Sequence, residues 1–206
     1  MHKLKIIISA LFVIISTSSL FSVTIDYSAI SSAFGNTSGS DLAAGSLIEV
    51  GTWDGSNFNS LEQSSAGAGA MGAPGVFTDS TTNLDVNGLG LAGDQLAFRW
   101  FDSVDTSGDL GLAFLDGASN SEWFLKAGDG SGSDTTKNSI DISNLVNSGS
   151  LVTGASIVEG SFGPETSSSI PSSKLFKTAP VPEPSTYALL LGVSALVIVM
   201  IRRKVS

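Results

Sequence analysis

Apolar residues fall into three regimes along the chain. Residues 6–15 and 187–201 form long apolar runs near the two ends, while the stretch between them alternates short apolar segments with Gly, Ser, Asn and Asp. Short apolar segments bounded by turn-forming residues read as strands, so the middle of the chain is expected to be all-β. The clearest strand is 95–101, Gln-Leu-Ala-Phe-Arg-Trp-Phe. Its period of two puts Leu96, Phe98 and Trp100 on one face and Ala97, Arg99 and Phe101 on the other. A second strand is expected at 110–115, with Leu112 and Phe114 opposite Ala113 and Leu115. Asp116, Gly117 and Asn120 follow, and then 122–126, which predicts a hairpin with a loose turn.

Further strands are expected at 47–53, 76–78 and 151–159. Residues 23–30 supply a first strand, with a short helix from Tyr27 as the alternative. Residues 140–146 fit either a strand or one helical turn capped by Ser143. The expected architecture is a single domain of two packed sheets, a β-sandwich or jelly roll, over residues 23–163. Residues 64–75 are rich in Gly, Ala and Ser and read as a solvated connector. Residues 164–180, rich in Ser, Pro and Lys, read as a linker.

The ends are addresses rather than fold. Residues 1–5 are basic, 6–15 are apolar apart from Ser9, and 16–22 are small and polar. That order is a signal peptide over 1–22, too short in its apolar part to span a bilayer. Signal peptidase is expected to cut between Ser22 and Val23, with a cut after Ser19 as the rival. At the other end Val181, Pro182, Glu183 and Pro184 precede a 17-residue apolar stretch, 185–201, and then Arg202, Arg203 and Lys204. Prolines on both sides keep Glu183 extended, a shape an enzyme cleft can grip. The stretch gives about 25 Å of helix at about 1.5 Å per residue, the short end of a transmembrane span. The basic tail, 202–206, stops transfer and stays cytoplasmic.

Taken in order, signal peptide, Val-Pro-Glu-Pro-Ser box, apolar helix and basic cluster resemble the PEP-CTERM sorting signal of exported bacterial proteins. The resemblance implies recognition of Pro182, Glu183 and Pro184 by exosortase, an intramembrane processing enzyme of bacteria that make extracellular polysaccharide. It also implies initial single-pass anchoring in the inner membrane, followed by surface or extracellular placement. Residues 49–54, 93–102 and 157–163 resemble, more loosely, small exported proteins carrying the same signal; that likeness implies a β-rich fold and no activity.

Composition sharpens the picture of what the exported part does. The 206 residues include no cysteine and one histidine, His2, inside the signal peptide. Thiol nucleophiles, Ser-His-Asp triads, disulfides and the usual zinc sites therefore have no residues to build them. The formal charge is −9 for the chain. The exported part keeps Arg99, Lys126, Lys137, Lys174 and Lys177 against nineteen acids, a formal charge of −14. An acidic body is a poor nucleic-acid partner. No metal and no cofactor is expected.

Three constellations remain. Asp102, Asp105 and Asp109 share one loop and offer a glycosidase-like pair, although Asp also favours turns for its own backbone bonding. Asp129 to Asp134, with Asp141 beyond, lacks the spacing of a calcium loop. Trp53, Trp100 and Trp123, with Phe98, Phe101 and Phe124, offer an aromatic platform for sugars or simply a core, and Phe124 is expected to be the most exposed. The reading is an exported, non-enzymatic protein of the cell envelope or extracellular matrix. The alternatives are an exopolysaccharide-binding module and a carboxylate-dependent glycosidase.

Overall fold

The computed structural model describes residues 22–69, 72–129, 136–171 and 173–180. The signal peptide expected over 1–22, all but Ser22, and the segment 181–206, with its expected transmembrane helix, lie outside the described residues, as does most of the loop from Asp129 to Asp134.

Thirteen strands run through the described residues. The first five are β1 (Ser22–Ala29), β2 (Ala33–Gly35), β3 (Leu47–Trp53), β4 (Phe58–Ser65) and β5 (Phe77–Asp85). Then come β6 (Gln95–Phe101), β7 (Leu110–Leu115), β8 (Thr136–Asp141), β9 (Val146–Asn147) and β10 (Ser150–Leu151). The last are β11 (Ala155–Glu159), β12 (Ser161–Thr166) and β13 (Lys174–Lys177). Two short 3-10 turns, Ser121–Trp123 and Ile142–Leu145, are the helical elements among them. The body is all-β, as the hydrophobic pattern requires.

The strands form a three-stranded sheet β5-β1-β8, a five-stranded sheet β11-β7-β6-β3-β4, a three-stranded sheet β12-β13-β2 and the small ribbon β9-β10. Most pairs are antiparallel, but β1 runs parallel to β8 and β13 parallel to β2. One core joins the sheets. Val23, Ile25, Tyr27 and Ala29 of β1 share it with Ile48 and Val50 of β3 and with Leu96, Phe98 and Trp100 of β6. Phe77 of β5 meets Phe98 edge-on at 6.1 Å, and Phe34 of β2 lies 4.6 Å from Trp100. Each such ring, fully buried, contributes about 1.5–3 kcal/mol over leaving it in water. Gly111 exists for this packing: a Cβ there would stand 2.1 Å from the Trp100 indole.

Several expectations need correction. The linker expected over 164–180 is part of the body: β12 continues to Thr166, and β13 buries Leu175 and Phe176 completely. The two neighbours face opposite ways. Leu175 enters a small cluster with Ala33 and Val76, and Phe176 enters the main core. The strand expected at 122–126 is a 3-10 turn capped by the Asn120 side chain, and β7 pairs with β6 and β11. The turn at 142–145 is capped by Asp141, not Ser143, whose N–H donates to that carboxylate at 2.7 Å. The connector expected over 64–75 begins inside β4. The strand expected over 151–159 breaks at Gly154, which takes φ +87°. Ser22 opens β1, and Val23 is buried between Leu84 and Thr136.

Candidate functional site

Cross-strand partners share a sheet face, so the register of the five-stranded sheet defines what it turns away from the core. Phe58 of β4 pairs with Trp53 of β3, Trp53 with Gln95 of β6, and Gln95 with Phe124. Two residues along β3 and β6, Gly51 pairs with Ala97. Phe114 of β7 projects on this same side, two residues from Leu112, the partner of Arg99. Next comes a polar row, Gln63, Glu49 and Arg99, each the partner of the next. The outer face is therefore an aromatic band over a small-residue floor, bordered by one ion pair. Trp53, Phe58 and Phe114 are half-buried and Phe124 is 38% exposed.

Gly51 in the floor makes room for one of the rings. A Cβ at Gly51 would stand 2.6 Å from the Phe58 ring, so the ring occupies the space a side chain would need. The Arg99 guanidinium then covers Phe58 at 4.3 Å from its centroid and Phe101 at 5.4 Å, a cation–π arrangement. Arg99 donates through Nε to Glu49 Oε2 at 2.6 Å, and Gln63 Nε2 donates to Glu49 Oε1 at 2.9 Å. Glu49 is 1% exposed. A carboxylate buried so far needs its partners, and both its oxygens have one.

Both flanks of the band are fixed. At one flank Asp54 closes the β3–β4 hairpin: its carboxylate accepts from the N–H groups of Ser56 at 2.8 Å and Asn57 at 2.7 Å and from the Asn57 amide at 3.0 Å. The Asn57 side-chain and backbone bonds, followed by those from Ser56, hold the Asp54 carboxyl far below the usual carboxylate range. At the other flank Gln95 Nε2 donates to the Leu115 and Trp123 carbonyls, and Gly117 N–H donates to Gln95 Oε1. Buried Asn138 donates to the carbonyls of Glu122 and Phe124, both at 2.7 Å. Phe124 lies on Gly117, where a Cβ would meet its ring at 2.4 Å. Glu122 takes the Lys126 ammonium at 2.6 Å. Partial burial pushes the Glu122 carboxyl up, and the Lys126 and Ser139 donors outweigh it, leaving it below its ordinary value.

Of the aromatics singled out from sequence, Trp53, Phe101 and Phe124 reach this face, whereas Trp100, Trp123 and Phe98 are core. Phe58 and Phe114 complete the band and were not singled out. Their signal is pairing to Trp53 and their place in the register, which is not a local property of sequence.

The acids of the β6–β7 loop hold the loop itself. Asp102 Oδ1 accepts from Asp109 N–H at 2.8 Å, Asp105 Oδ1 from Ser107 N–H at 2.9 Å, and Asp109 Oδ2 from Thr37 Oγ at 3.1 Å. Bonds from Ser107 to Asp105 lower that carboxyl. Asp141 accepts from Ser28 Oγ at 2.5 Å. Among the described residues no three His, Cys, Asp or Glu side chains stand together as a metal site, and no helix is long and apolar enough to cross a membrane. A polar depression of about 510 Å³ lies on the other sheet, over Asp26, Ser28, Thr78, Asp79, Ser80 and Ser139.

What fold and face define is an acidic all-β body with one banked aromatic surface. The address attached to it comes from a family match: residues 180–204 match the PEP-CTERM protein-sorting motif. The chain is thus an exported protein sorted through exosortase, and its C-terminus is anchored in the membrane before processing. No curated protein and no solved structure matches the chain. Val181, Pro182, Glu183, Pro184 and the basic cluster Arg202, Arg203 and Lys204 lie outside the described residues.

Proposed function

We propose that this protein is a non-enzymatic component of the cell envelope or extracellular matrix, whose body is a two-layer β-sandwich that binds neutral polysaccharide. The aromatic band of Trp53, Phe58, Phe114 and Phe124 supports this reading. Sugar rings present flat C–H faces that stack on half-exposed aromatic rings, and their hydroxyls bond to nearby polar side chains. Gln63, which is exposed, supplies such a group beside the band. The face sets Arg99 against Glu49, and Glu159, the exposed cross-strand partner of Leu112 in the same row, adds a carboxylate, so the face offers an anionic polymer no excess positive charge. On a body whose five bases face eighteen acids, a formal charge of −13, an anionic polymer is repelled and a neutral one is not.

The test is affinity electrophoresis of the processed protein in gels containing neutral polysaccharide from the producing cell. Retardation that saturates, and that Trp53→Ala abolishes at unchanged melting temperature, is expected. No retardation by any host polymer would remove the glycan reading and leave the matrix role standing alone. Release of reducing ends from those polymers, lost on Asp102→Asn or Asp109→Asn, would instead make the protein a glycosidase.

A further inference from the structure

β13 ties the folded body to the sorting motif with almost no slack. Phe176 and Leu175 are fully buried, Thr178 N–H donates to the Gly35 carbonyl at 3.0 Å, and Ala179 exchanges two backbone bonds with Leu110 at 2.8 and 3.1 Å. The matched motif begins at the next residue, 180. Five residues, 180–184, separate Ala179 from Ser185, and three of them are proline. Whatever their path, six steps of about 3.1–3.6 Å reach roughly 20 Å at most. The headgroup layer takes about 5–8 Å of that reach.

The exit point also has a definite place on the body. Leu110 opens β7 and pairs with Phe101, so Ala179 leaves beside the 102–109 loop that joins β6 to β7. Val104 in that loop is 76% exposed. The opposite end of β6 is Gln95, reached from the 86–94 loop, where Leu89 is 61% exposed. A strand of seven residues puts these two ends roughly 20 Å apart.

We propose that in the anchored precursor the body stands on the membrane with the 102–109 loop against lipid headgroups. The processing enzyme then meets Pro182, Glu183 and Pro184 with the folded body already beside them, rather than on a free tether. The loop carries Asp102, Asp105 and Asp109 and no base, so short reach holds it there and charge attraction does not. The contact is expected on a zwitterionic surface and to be insensitive to salt. This inference rests on the sorting motif and its anchor and is independent of glycan binding.

The chain contains no cysteine, so Val104→Cys or Leu89→Cys gives one attachment point for a fluorophore. The exported precursor, residues 23–206 without the signal peptide, is placed in phosphatidylcholine vesicles carrying a headgroup-linked quencher, and flotation checks anchoring. Quenching of the Val104 probe several-fold above that of the Leu89 probe is expected. A ten-residue Gly/Ser insertion between Pro180 and Val181 adds about 18 Å of root-mean-square reach, and it should bring the two probes to the same low level. Equal quenching without the insertion, or unequal quenching that survives it, overturns the proposal. Failure to float overturns the anchor itself and is read separately.

Discussion

Two of the sheets that contribute to the core turn opposite kinds of surface outward. On the three-stranded sheet the outward register pairs Asp26 with Ser80 and Ser139, and Ser28 with Thr78 and Asp141. That face of the mixed sheet is hydroxyl and carboxylate, as a sheet face turned to water is expected to be. On the five-stranded sheet the same outward position holds Trp53, Phe58, Phe101, Phe114 and Phe124. The ion pairs differ in the same way. Lys137 stands 3.7 Å from Asp26 with both side chains well exposed, while Arg99 reaches Glu49 inside a ring of aromatics. Water alone explains the first face. The second buries Phe101, leaves Trp53, Phe58, Phe114 and Phe124 partly in solvent and locks a charge beside them, which is organised for contact with something other than water.

The largest effect that tests this contrast is on stability. Glu49→Ala leaves the Arg99 guanidinium among rings without its carboxylate and is expected to cost roughly 3 kcal/mol in urea denaturation. Asp26→Ala removes an exposed partner and is expected to stay within about 0.5 kcal/mol. Equal losses would mean the two pairs are equivalent, and the contrast would fail. A smaller effect is expected in binding. Phe124→Ala should weaken retention by neutral glycan about tenfold, near 1.4 kcal/mol, with little loss of stability. Ser80→Ala, in the polar depression, should leave retention unchanged. If Ser80→Ala weakened it instead, the ligand would belong to the other sheet.

Legibility in the sequence followed the same division. β3, β6 and β7 match residues 47–53, 95–101 and 110–115 because each carries enough apolar residues to stand out from its Gly, Ser and Asp surroundings. β4 does not stand out. Its sequence, Phe-Asn-Ser-Leu-Glu-Gln-Ser-Ser, is an edge strand with a register shift opposite Val50 and Gly51, which breaks the period of two. β13 is four residues long and buries both faces, so no alternation marks Leu175 and Phe176, and flanking Ser and Pro disguise it as linker. The aromatic band was partly visible as residue types and invisible as a surface, since Phe58, Trp53, Phe114 and Phe124 come from four separate segments joined only by register. The sorting motif is read linearly and lost nothing to folding.

The smallest expected effect is a titration at the hairpin that presents Trp53 and Phe58. Asp54 is exposed and its carboxyl is held far below the ordinary range by the Asn57 and Ser56 bonds. A depressed carboxyl contributes stability above its unfolded pKa, about 3.9, and loses it as pH falls from there towards the folded value. The hairpin should therefore keep its geometry unchanged from pH 7 to pH 4 and loosen only below. Trp100 and Trp123 are fully buried while Trp53 is half-buried, so acrylamide quenching of tryptophan reports mainly on Trp53. Quenching is expected to be flat down to pH 4 and to rise at lower pH, before the body unfolds. In Asp54→Ala it should be higher at neutral pH and lack that early step. A step centred above pH 4 in the parent protein, or one that persists in Asp54→Ala, would assign the titration to another carboxylate and detach the aromatic band from its hairpin.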